Sequence, residues 1–136
     1  MKTDEMIIAR THAELLNELL QTNYKGYMKC GHRLPDGKLL WMIRLNNTAS
    51  KEGWTNTLVN SDLISEQYEG DNPNYVNNAG KPDFEHFRVV FDIDEESGHR
   101  VYLFRGVFDF DGKNSEPNNN FWKKVSDEYI FPTMKK

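Results

Sequence analysis

The sequence predicts an α+β fold: a curved, mostly antiparallel sheet of roughly five to seven strands, or an open β-barrel, with an N-terminal helix packed on it. Three observations predict it. Residues 87–110 hold two apolar segments with the alternation of strands, joined by the polar stretch Asp94-Glu95-Glu96-Ser97-Gly98-His99. Thr11 and Glu14 stand before the leucines Leu15, Leu16, Leu19 and Leu20, the mark of one short amphipathic helix. Elsewhere Gly, Pro, Asn and Asp cut the chain into pieces of strand length, with no internal repeat.

In chain order, Met6-Ile7-Ile8-Ala9 reads as a first strand or as the lead into the helix. Thr11 with Glu14 is a capping box, hydroxyl and carboxylate each reaching an otherwise unpaired backbone donor, so the helix is predicted over 11–22. Residues 26–30 form a short strand. Leu34-Pro35-Asp36-Gly37 is a turn, because Pro presets φ and Gly accepts positive φ. The run 38–45 then pairs back as a hairpin, with Leu39, Trp41, Ile43 and Leu45 on one side. Residues 54–59 read as a strand, and 63–68 as a strand or short helix. Residues 69–83, crowded with Asn, Gly and Pro around Tyr75 and Val76, form the longest loop. Asp111-Gly112 makes a turn and 113–120 a polar loop. Residues 121–131 are ambiguous, since Trp122, Val125 and Tyr129 keep helical spacing. The tail, 132–136, is expected to fray.

Residues 87–110 carry the strongest pattern. Phe87, Val89, Phe91 and Ile93 share one face of the first strand. In the second, Tyr102, Phe104, Phe108 and Phe110 share one face, while Val101, Leu103, Arg105 and Val107 share the other. With both faces apolar, that strand is expected to be central. Gly106 interrupts the aromatic stripe, which points to a bulge or to close approach of another backbone. A four-residue turn at 95–98 sets Asp94 opposite His99 and so Arg88 opposite Arg105. Like charges face to face are destabilising unless an anion lies between them.

Composition narrows the function. A chain of 136 residues is predicted to form a single domain, 1–136, with a real core. A net charge of -4 argues against coating nucleic acid through an overall field, and is too modest for a mimic of the phosphate lattice. Cys30 is the only cysteine, so no intrachain disulfide forms. No apolar run approaches the roughly 20 residues that span a bilayer. A soluble, cytoplasmic protein is the expectation.

Two groups of candidate ligand-binding residues emerge. Arg88 and Arg105, with Arg44 in support, form a candidate anion site for phosphate or a partner's carboxylate; the plain alternative is that both side chains snorkel to a sheet edge or pair with Asp and Glu residues from loops. Trp41, Trp54, Tyr68, Tyr75 and Trp122 lie in or beside polar stretches, where a ring stacks on a base or anchors a partner, or simply closes the core. Trp54, after the polar loop ending at Gly53, is the first of these to test. No metal site is expected, because Cys30 and His32 lack a second pair of ligands. Asp109, Asp111, Gly112, Lys113 and Asn114 lack the ligands that complete a calcium loop. There is no phosphate loop, no nucleophile elbow and no zincin run, so no cofactor and no catalytic residue is assigned.

Val101-Tyr102-Leu103-Phe104-Arg105-Gly106-Val107-Phe108, followed by Phe121-Trp122-Lys123-Lys124-Val125-Ser126-Asp127, resembles the closing half of small β-barrel domains attached to restriction nucleases and phage proteins. The broader group is the PUA-like superfamily of SRA, EVE and ASCH domains, which recognise modified bases or RNA. The resemblance covers about the last third of the chain and rests on strand texture, so no family site is carried over. It implies a non-enzymatic module that binds nucleic acid or a nucleotide in a restriction or defence setting. The alternative is a protein-interaction module, such as a phage-encoded inhibitor or adaptor; an enzyme ranks last.

Overall fold

The computed structural model describes residues 1–23, 31–45, 54–68, 87–96, 99–111 and 119–131, with the side chains of 95, 96 and 99 left aside. The predicted strand at 26–30, the loop at 69–83, the tail, Cys30 and Tyr75 lie outside the described residues. The elements are β1 (Met6–Ala9), α1 (His12–Leu20), β2 (Gly31–Arg33), β3 (Leu39–Ile43), β4 (Trp54–Asn60), β5 (Leu63–Tyr68), β6 (Phe87–Glu96), β7 (His99–Phe110) and β8 (Asn119–Ser126). Among the described residues eight strands join one sheet, in the order β2-β3-β6-β7-β8-β5-β4, with β1 added on β7. That is more strands than the sequence suggested. Of the two ambiguous segments, 63–68 is a strand, and 121–131 is strand through Ser126, where β8 ends. All pairings are antiparallel except β3 with β6, which is parallel.

Local chemistry explains the elements. The Thr11 hydroxyl accepts from the Glu14 backbone N–H at 3.1 Å, the hydroxyl half of the predicted capping box, while the Glu14 carboxylate lies 3.6 Å from Arg10 Nε. The helix stops two residues short of the predicted end, at Gln21 in the left-handed region. The turn at Leu34 closes with Gly37 N donating to Leu34 O at 2.9 Å, Gly37 having a φ of 90°.

Two cores form, one on each face of the sheet. Leu15, Leu16, Leu19 and Leu20 of α1 pack with Leu40, Met42, Val89, Phe91, Tyr102, Phe104 and Val107 on the first face. On the second, Trp41, Ile43, Ile64, Val90, Phe108 and Trp122 come together. This second face is concave. The Trp41 and Trp122 rings, on strands three steps apart, lie 5.9 Å from one another, where a flat sheet would hold them about 14 Å apart. The sheet is therefore strongly curved yet open among the described residues, where β2 and β4 end the strand order.

Gly106 produces much of that shape. The β6–β7 register slips there: Val90 faces Gly106 but Phe91 faces Phe104, leaving Arg105 as the extra residue of a bulge. Gly106 has a φ of 116°, and a Cβ on it would lie 2.7 Å from Ser126 O. Both suggestions made by this glycine hold, bulge and close backbone approach. The bulge also corrects the predicted faces of β7. An inserted residue exchanges inside and outside, so Tyr102 and Phe104 enter the helix-side core with Val107, while Phe108 and Phe110 point into the concave side. Beyond the bulge β7 changes partner, pairing with β8 from Val107 onward and with β1 over Arg100 to Leu103.

The chain ends fasten the helix side. Tyr129 donates its hydroxyl to Asp36 Oδ2 at 2.7 Å. Burial, then this bond and the carboxylate's charge, push the Tyr129 phenol up. Burial alone would raise Asp36, but hydrogen bonds from Tyr129 and Lys38 hold it below the usual range.

Candidate functional site

The concave face carries the polar chemistry. Registers put Trp54 opposite Tyr68, Asn56 opposite Glu66, and Leu58 opposite Ile64 on β4 and β5. On the other side of β5, Glu66 faces Asn120 and Ile64 faces Trp122 of β8. Three rows follow: an aromatic pair, then Asn56-Glu66-Asn120, then the apolar floor Leu58-Ile64-Trp122. The Trp54 and Tyr68 rings are half-buried, 4.9 Å apart and tilted by 51°.

Glu66 is buried and accepts from three side chains. Its Oε1 accepts from Asn120 Nδ2 at 3.2 Å and from Trp122 Nε1 at 3.1 Å, and its Oε2 accepts from Arg88 Nη1 at 3.3 Å. The last contact spans three strand steps and exists only because the sheet curls. The Arg88 guanidinium lies over both indoles, 4.3 Å from the Trp41 centroid and 4.0 Å from that of Trp122. Because Asn120 gives its amino group to Glu66, its oxygen is fixed as an acceptor turned elsewhere. That oxygen and Asn56 Oδ1 are both buried without a hydrogen-bond partner.

The four residues singled out from sequence occupy different settings. Arg88 does not face Arg105: it pairs with Phe108, while Arg105 is the bulge residue, because only residues 97 and 98 separate the two strands. Arg105 instead donates to Asp92 Oδ2 at 3.0 Å, so each arginine has its own carboxylate. Arg44 is exposed after β3, and its charge is felt by His12 and Tyr102 at the start of α1. Trp54 stands on β4 against Tyr68.

Trp41 and Trp122 prove to be core residues. Sequence reasoning missed Asn56, Glu66 and Asn120. A signal existed for the first two, since each interrupts an apolar face in Trp54-x-Asn56-x-Leu58 and Ile64-x-Glu66-x-Tyr68. No group of three or more metal-ligating side chains occurs among the described residues.

A second polar cluster sits at the start of α1, where His12 Nδ1 and the Tyr102 hydroxyl are 2.7 Å apart. Burial first, then the charges of Arg100 and Arg44, hold the imidazole below its usual pKa; burial raises the Tyr102 phenol. Arg100 donates to the same phenol oxygen. At the far end of β5 an open groove of about 480 Å³ includes Asn60, Leu63 and Lys123. There Lys124 is held by Asp127 at 3.2 Å and Asp62 at 3.8 Å.

The model of the SRA family, the SET and RING associated domain, matches residues 1–131. The chain belongs to the SRA family. The likeness that the sequence suggested in its last third thus extends over nearly the whole chain. Among solved structures, this SRA chain is similar to the 5-hydroxymethylcytosine-specific restriction enzyme AbaSI, with a TM-score of 0.73 and 23% identity over 95% of the chain. It spans only 41% of that enzyme's length, and at this identity the likeness concerns the fold. No curated protein matches the chain.

Proposed function

We propose that this SRA chain is a DNA-binding module of a restriction-like system, a reader and not a catalyst, which receives an unpaired base at the Trp54 and Tyr68 end of its concave face. SRA domains bind DNA, and the enzyme of similar fold is named for a modified cytosine. The observation that carries the reading is the half-buried ring pair beside a row with two buried acceptors that lack donors. Rings of this kind stack on any base. Asn56 Oδ1 and Asn120 Oδ1 call for N–H or O–H groups, which a cytosine amino group or a hydroxymethyl substituent supplies. A base must leave the duplex to reach such a surface, which costs least where it is mismatched or single-stranded.

Fluorescence anisotropy with oligonucleotides carrying cytosine, 5-hydroxymethylcytosine or thymine at one position tests this. Trp54→Ala is expected to cost about 1–3 kcal/mol with every oligonucleotide, as loss of one stacking platform does. Asn120→Ala is expected to narrow the preference for the amino-bearing bases over thymine. Affinity and preference unchanged in both variants would remove the site; no binding to any oligonucleotide would favour a protein partner instead.

A further inference from the structure

The edge of β1 carries an observation that base reading does not use. β1 pairs with β7 along one side, and among the described residues no strand pairs with its other side. Ile7 and Ala9 turn toward the helix-side core, while Met6 and Ile8 face outward, 60% and 64% exposed. Their neighbours across β7 are Leu103 and Val101, both half-buried, so four apolar side chains form one patch beside a free backbone edge. Proteins commonly blunt such an edge with lysine, proline or a bulge, and Met6-Ile7-Ile8-Ala9 has none of these.

The flanking charges name the occupant. Asp4, in the turn before the strand at a φ of 76°, and Arg10, just after the strand, are both exposed. A parallel copy would set like charges together. An antiparallel copy centred on Ile7 sets Met6 against Ile8 and brings the Asp4 turn of one copy to the Arg10 end of the other, which is the self-complementarity a two-fold contact needs. We propose that the chain self-associates through this edge, β1 of one copy pairing antiparallel with β1 of a second about a two-fold axis at Ile7. The Arg10 bond to Glu14, 3.6 Å long and solvent-exposed, is weak enough to yield to the intermolecular pair.

Sedimentation of the full chain across the micromolar range tests the proposal independently of DNA binding. The wild type is expected to show a monomer–dimer equilibrium, Ile8→Lys to be monomeric at every concentration, and Arg10→Asp to weaken the dimer. Ile8 is exposed enough for Ile8→Lys to fold, which circular dichroism checks. In a Cys30→Ser background, Met6→Cys combined with Ile8→Cys should oxidise to a covalent dimer linked between positions 6 and 8. A wild type monomeric throughout, a dimer unaffected by Ile8→Lys, or crosslinks that ignore this register would overturn it.

Discussion

Arg88 is buried between two indoles, and its charge is met by Glu66, 22 residues earlier and three strands away, in reach only because the sheet curls. The buried pair is costly to break from one side. Arg88→Ala would leave the Glu66 carboxylate with Asn120 and Trp122 as its donors and empty the space over two indoles, so a loss of about 3–5 kcal/mol is expected. Arg88→Met with Glu66→Gln fills the same space without net charge, and the amide oxygen still accepts from Asn120 and Trp122. In urea unfolding the double variant should lose less than Arg88→Ala alone; additive losses would show that the charges are not coupled.

Among the elements, the β7 bulge decides most. The glycine was legible as a bulge signal, but its consequence was not, because alternation counted straight through Gly106 assigns Phe108 and Phe110 to the wrong face. Strand existence was easier to read than strand partners. The leucine stripe, the Pro35-Asp36-Gly37 turn and the strand at 54–59 follow from local chemistry, and all three are present. The parallel β3–β6 pair and the β5–β8 pair join distant segments, which no local pattern encodes. In 121–131 the helical spacing misleads, because Trp122 is buried on the concave side while Val125 is exposed and Tyr129 lies past the strand. Gly106→Ala puts a Cβ at positive φ against Ser126 O, so it must cost at least about 2 kcal/mol or displace β8. A thermal unfolding midpoint equal to that of the wild type would contradict this account of the bulge.

On the scale of the whole molecule, net charge narrows the mode of binding. A formal charge of -4 argues against coating nucleic acid through an overall field, and the chain belongs to the SRA family. The two facts are compatible if recognition rests on stacking and hydrogen bonds, because neither needs a positive field. Arg88 and Arg105 support this view, since Glu66 and Asp92 already occupy their charges. The salt dependence of binding should then be shallow. Each phosphate contact adds about 0.9 to the slope of log affinity against log salt, so two or three contacts lose roughly 20-fold between 50 and 200 mM, against a thousandfold or more for a backbone binder. Trp54→Ala should lower the whole line without changing its slope, because a lost ring releases no counterions. A steep slope in the wild type, or one flattened by Trp54→Ala, would mean that phosphate contacts and not the concave face carry the affinity.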